Sequence, residues 1–102
     1  MGLFRRSKPQ PPNAVVVDSH GEELAVATVV RAVSPTVQIY NALSAFQFGT
    51  VASVSLRPDE EGEVGIISMA SGEEFYVHFT RTNQSTAIHL SDGHDDVTIS
   101  IG

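Results

Sequence analysis

From Thr50 onward, apolar and polar side chains alternate in five short runs, Thr50–Arg57, Glu63–Met69, Glu74–Thr80, Thr86–Ser91 and Val97–Ile101. A period of two is the pattern of strands that bury one face. The separators Pro58–Gly62, Ala70–Glu73, Arg81–Ser85 and Asp92–Asp96 are short and carry turn residues. Segments of that length and chemistry close hairpins, so an antiparallel five-stranded meander is predicted.

A slip of one residue would turn every side chain to the wrong face, which makes the register arguable. Opposing Phe75, Val77 and Phe79 to Leu90, Ile88 and Thr86 leaves the loop Arg81–Gln84. Opposing Leu90, Ile88 and Thr86 to Val97, Ile99 and Ile101 leaves Asp92–Asp95, and pairing Val54 with Ile67 leaves Asp59–Gly62. The predicted core face is then Val54, Leu56, Ile67, Met69, Phe75, Val77, Phe79, Ile88, Leu90, Val97, Ile99 and Ile101.

Ahead of the meander, Ala14–Asp18 is a β-branched run and reads as a first strand. Ser19 and Glu22 have capping-box spacing, and Val26, Val29, Val30 and Val33 fall at i, i+3, i+4 and i+7, which predicts a helix over 24–33. The same valines would also suit a buried strand. Ser34 as cap, Pro35 in the first turn and Gly49 as terminator predict a second helix over about 35–48, with Ile39, Leu43 and Phe46 on one face. The expected fold is a two-layer α+β domain: a short N-terminal strand, two helices and a five-stranded antiparallel meander. The alternative is an all-β sandwich with 24–33 and 36–46 as strands.

Charge divides the chain. Arg5, Arg6 and Lys8 lie in the first twelve positions with no acid among them. Residues 13–102 hold all twelve acids against three arginines, a net −9. Such a body repels phosphate backbones, so direct nucleic-acid binding is not expected, whereas a basic protein surface would attract it. Residues 1–13 read as a basic, Pro-rich tail, and 14–102 as one acidic domain. Leu3, Phe4, Arg5, Arg6 and Lys8 combine apolar and cationic side chains suited to an anionic membrane surface. Arg6 stands where the N-myristoylation pattern has Ser or Thr, and the tail has no apolar core of a secretory signal.

The chain has no cysteine, which excludes disulfides, thiol catalysis and the usual zinc-finger frames and fits a cytoplasmic, reducing compartment. No phosphate-binding glycine loop, dinucleotide fingerprint or nucleophile elbow occurs, so neither catalysis nor a cofactor is expected. The chosen register puts Val64, Ile66, Tyr76, His78 and His89 on the solvent side, with Tyr76 opposite His89 and His78 diagonal to it. Two histidines without a third ligand make a weak metal site, and that register brings no Asp or Glu beside them. They suit a pH-sensitive contact patch better. Asp92–Asp96 packs potential calcium ligands together, but the strand after it leaves no room for the roughly twelve-residue loop such sites use, and a polar turn is expected.

The segment Val15–Glu22, followed by a helix and a meander, resembles the opening of small roadblock-type regulators. That resemblance implies helices on a five-stranded sheet and an interaction-platform role. Thr98–Gly102 is strand-like where that family has a final helix, so no membership is assigned.

The expected function is a non-enzymatic protein–protein interaction or regulatory module holding a protein partner through Val64, Ile66, Tyr76, His78 and His89. One form of it is an inhibitor or immunity-type protein covering a basic surface. The alternative is a peripheral membrane adaptor anchored by its tail. The final strand, if left as an open edge, would invite pairing between two copies of the chain.

Overall fold

The computed structural model describes residues 11–102. Seven strands form one antiparallel sheet: β1 (Ala14–Asp18), β2 (Glu23–Ala27), β3 (Val51–Asp59), β4 (Gly62–Met69), β5 (Glu74–Arg81), β6 (Thr86–Ser91) and β7 (Asp96–Ile101). The spatial order is β2-β1-β7-β6-β5-β4-β3. One helix, α1 (Pro35–Ala45), lies between β2 and β3 in sequence and packs Ile39, Ala42 and Leu43 into the core on one face of the sheet.

The meander forms from the five runs read in the sequence, and Val54 pairs with Ile67 and Leu90 with Val97 as expected. All twelve predicted core residues face the core. Eight are buried, and Val54, Leu56, Phe75 and Val97 are partly so.

The β5–β6 register differs from expectation by two residues. Phe79 pairs with Ile88 instead of Thr86, because the hairpin closes on Thr82 and Ser85, whose backbones bond at 2.8 Å. A two-residue slip keeps every side chain on its face, so the hydrophobic pattern alone does not detect it.

The predicted helix over 24–33 does not form. Val26, Val30 and Val33 are exposed and only Val29 is buried, so the valine stripe is not one packed face. Residues 23–27 instead pair with β1, Ala14 opposite Ala27 and Val16 opposite Ala25. Ser19 caps no helix: it lies in a hairpin turn where Asp18 Oδ1 accepts the backbone N–H groups of His20 and Glu22. The chain after β2 runs without regular structure and is held by side chains. Asn13 bonds both the N–H and the C=O of Val29, and buried Gln38 accepts from Ala32 N–H while donating to Val30 C=O. The all-β alternative holds in part, since the described residues are mostly sheet and Glu23–Ala27 is a strand, but it is not a sandwich: 36–46 is almost wholly helical and no second sheet exists among the described residues.

The helix starts as predicted, with the Ser34 hydroxyl accepting from Val37 N–H and Pro35 in the first turn. It ends four residues before Gly49. Phe48 N–H bonds Leu43 C=O and Gln47 N–H bonds Ser44 C=O, a Schellman arrangement with Gln47 at φ 58° in the left-handed position. The final strand is not an open edge: β7 sits between β1 and β6, and the sheet ends at β2 and β3. Pairing of two chains through β7 is therefore blocked.

Two predictions follow from these local geometries. A left-handed conformation strains any residue with a β-carbon, so Gln47→Gly is expected to stabilise the fold by about 0.5–1 kcal/mol, read by urea denaturation. In the turns, backbone N–H groups hold two carboxyls below their ordinary range: Glu22 and then His20 at Asp18, and Asp95 and then His94 at Asp92. A lowered folded value gives a contribution that is complete above the ordinary 3.8 and lost as pH falls below it. An Asp18→Asn/Asp92→Asn variant keeps oxygen acceptors without the charge. It is expected to lose less stability than the parent between about pH 5 and about pH 2; equal losses would refute the role of these turns.

Candidate interaction surface

Helix α1 packs on one face of the sheet, and among the described residues no element packs on the other. Strand alternation sends Val15, Val17, Val64, Ile66, Tyr76, His78, His89, Asp96 and Thr98 to that outer face, opposite in parity to the buried set. Tyr76 is 65% exposed and Ile66 41%, and Val64 is half-buried beside them. Tyr76 pairs directly with Ile66, and His78 with Val64, so the expected apolar group is contiguous across β4 and β5.

Between these side chains lies an open groove of about 490 Å³ lined mainly by apolar atoms, with Val64, Ile66 and Tyr76 among its walls together with His78 and His89. Glycine shapes it. A β-carbon on Gly65 would collide with the Ser55 carbonyl oxygen, and one on Gly62 with that of Phe79. Backbones of neighbouring strands thus approach β4 closely at both places, which any other residue would forbid.

The two-residue difference in register changes the histidine pair. His78 lies directly opposite His89, and Tyr76 opposite Ser91. Directly opposed residues on one sheet face have β-carbons about 4.5–5.5 Å apart. Two acids, which the sequence register left out, reach this patch. Asp59 Oδ2 is 3.7 Å from His78 Nε2, and Asp96 Oδ2 is 3.8 Å from His89 Nε2. Asp59 pairs with Gly62, which has no side chain to fill the space between the carboxylate and His78. The signal for it lay in the β3–β4 turn, which is tighter than the expected four-residue loop because Asp59 and Gly62 belong to the ladder.

At 3.7 Å the His78–Asp59 contact is too long for a hydrogen bond, and His78 Nε2 is a buried nitrogen without a partner. Each imidazole meets its own carboxylate, His78 from β3 and His89 from β7, and no group of three ligands able to hold a metal exists among the described residues. Nor does Asp92–Asp96 resemble a calcium loop, since Asp92 Oδ1 accepts from His94 and Asp95 N–H at 2.8 Å. The membrane candidates Leu3, Phe4, Arg5, Arg6 and Lys8 lie outside the described residues. No helix among the described residues is long and apolar enough to cross a membrane.

No protein-family model, curated protein or solved structure matches this chain.

Ile66 and Tyr76 on the outer face are exposed among the described residues. An Ile66→Ser/Tyr76→Ser variant is therefore expected to keep its stability within about 1 kcal/mol. Ile67→Ala, one residue along the same strand but fully buried, is expected to lose about 2–5 kcal/mol. Thermal unfolding of both variants checks the assignment, and a large loss in the outer-face variant would overturn it.

Proposed function

We propose that the chain is a non-enzymatic interaction module that holds a basic protein partner on its outer sheet face, through Val64, Ile66, Tyr76, His78 and His89. The carrying observation is a seven-stranded sheet with its helix on one face only and a contiguous apolar group with a groove on the other. Grouped apolar side chains on an uncovered sheet face are a recurring feature of protein interfaces. Charge supplies the partner's chemistry. The body is strongly acidic, and Asp59 and Asp96 flank the groove, so a surface presenting cations around an apolar centre complements it. An inhibitor or immunity-type protein that covers a basic active site is the specific form of this reading. A cytoplasmic setting goes with it, on the ground of a chain without cysteine.

Photo-crosslinking on the full chain tests this. A photoreactive phenylalanine analogue replacing Tyr76 is expected to capture a basic protein from native cell extract, and an added Ile66→Asp substitution to abolish the capture. The same analogue replacing Tyr40, on the exposed side of α1, is expected to capture nothing. Equal capture from both positions would refute the outer face as the site. Retention that depends only on Leu3–Lys8 would favour the membrane adaptor instead.

A further inference from the structure

The groove of the proposed partner site contains its own cationic competitors for the carboxylates that would attract a partner. His78 Nε2 and His89 Nε2 stand 3.7 and 3.8 Å from the carboxylates of Asp59 and Asp96. Histidine is the side chain that gains or loses charge within the physiological pH range. Neutral imidazoles leave both carboxylates without a counter-charge from the pair. Protonated imidazoles neutralise them in place.

The surroundings leave little else to answer that change. From β3 the groove receives Arg57 together with Asp59; β4 presents only Val64 and Ile66; β5 adds Tyr76 and, at its far end, Glu74, which accepts from the Ser68 hydroxyl. From β6 comes His89, and from β7 Asp96. The remaining histidines of the chain, His20 and His94, sit in the β1–β2 and β6–β7 turns. With neutral histidines the rim has Arg57 against Asp59, Glu74 and Asp96. Two protons cancel that excess of acid.

We propose that protonation of His78 and His89 releases a basic partner from the outer face, by occupying Asp59 and Asp96 from within the sheet. This rests on the outer face being the partner surface. A partner cation and a protonated imidazole compete for one carboxylate, so binding expels protons, and by linkage added protons expel the partner. Two features favour an exchange over a permanent pair. The contacts are longer than hydrogen bonds, so neither imidazole is locked to its carboxylate. The histidines are also direct neighbours, so charging both places like charges side by side unless both carboxylates remain with them.

The test uses the full chain and a defined probe, the N-acetylated, C-amidated pentapeptide Arg-Leu-Phe-Leu-Arg, whose cations flank an apolar centre. Amide chemical shifts of Val64, Ile66, Tyr76 and His89 report its binding. Kd is expected to rise at least about tenfold between about pH 7.5 and about pH 5.5. His78→Gln/His89→Gln should bind equally at both pH values, and Asp59→Asn/Asp96→Asn should bind weakly at both. Calorimetry on the unaltered chain at about pH 6.5, in two buffers of different ionisation enthalpy, should show proton release on binding. That measurement keeps the test decisive should a variant fail to fold. Binding with an unchanged Kd and no proton release would overturn the competition while leaving the interaction surface intact. No binding at either pH, or shifts confined to other faces, would overturn the surface and the competition together.

Discussion

The ladder between β1 and β7 holds the rest of this molecule together. It joins the two ends of the described chain through five cross-strand pairs, from Ala14 with Ile101 to Asp18 with Val97. Its inward side chains Ala14, Val16, Ile99 and Ile101 are all buried. Gly102 N–H continues it by bonding Asn13 C=O. Without β1 the last strand of the meander would be an edge and β2 would have no neighbour, because among the described residues β2 pairs with β1 alone. Pairing across so long a stretch of sequence gains its contacts only after the loop-closure entropy is met, so it needs help nearby. The Asn13 amide provides it, binding both polar groups of Val29 and tying the chain after β2 back to the start of β1.

The same device recurs at the helix. A buried amide is costly unless satisfied, and Gln38 is satisfied at both ends by Ala32 and Val30. Asn41 adds a second donor to Val30 C=O, and Arg81, reaching from β5, donates to Ala32 and Val33 carbonyls while its guanidinium lies over the Phe79 ring. Helix α1 is thus fixed against one face by polar clamps as well as by Ile39, Ala42 and Leu43. Its 11 residues extend about 16 Å, while seven strands span about 29 Å, so the helix does not span the sheet even on its own face. Among the described residues, no element packs on the side chains of the opposite face. The proposed interaction surface rests on that imbalance.

The clamps also explain what the sequence concealed. Five alternating runs with turn residues between them made the meander readable, and Ser34 with Pro35 marked the start of the helix. Residues 24–33 were misleading because Val26, Val29, Val30 and Val33 fall at helical spacing by coincidence. The deciding contacts come from Asn13, Gln38, Asn41 and Arg81, distant residues whose amides and guanidinium substitute for backbone partners. The outer-face apolar residues were legible from strand parity alone. The direct opposition of His78 to His89 was not, since a shift by two across β5 and β6 preserves the faces while changing the neighbours. Asp59 and Asp96 lie on hairpins whose register is the expected one, and their outward parity already puts them on this face; what the register does not show is that their carboxylates reach the two imidazoles.

Acidity and topology together limit what can occupy the open surfaces. The edge strand β3 ends in Arg57, Pro58 and Asp59, and β2 begins at Glu23 after Glu22. Charges and proline on edges oppose strand addition by another chain. Two bodies of net −9 also repel one another, so apolar attraction between outer faces of identical copies works against their charge. A basic partner meets the opposite balance, with its apolar contact and its charge acting in the same direction. An exposed apolar face is a hazard on a neutral sheet. On this acidic one the same apolar side chains stand beside the carboxylates of Asp59 and Asp96, and the proposed preference for a basic partner rests on that combination.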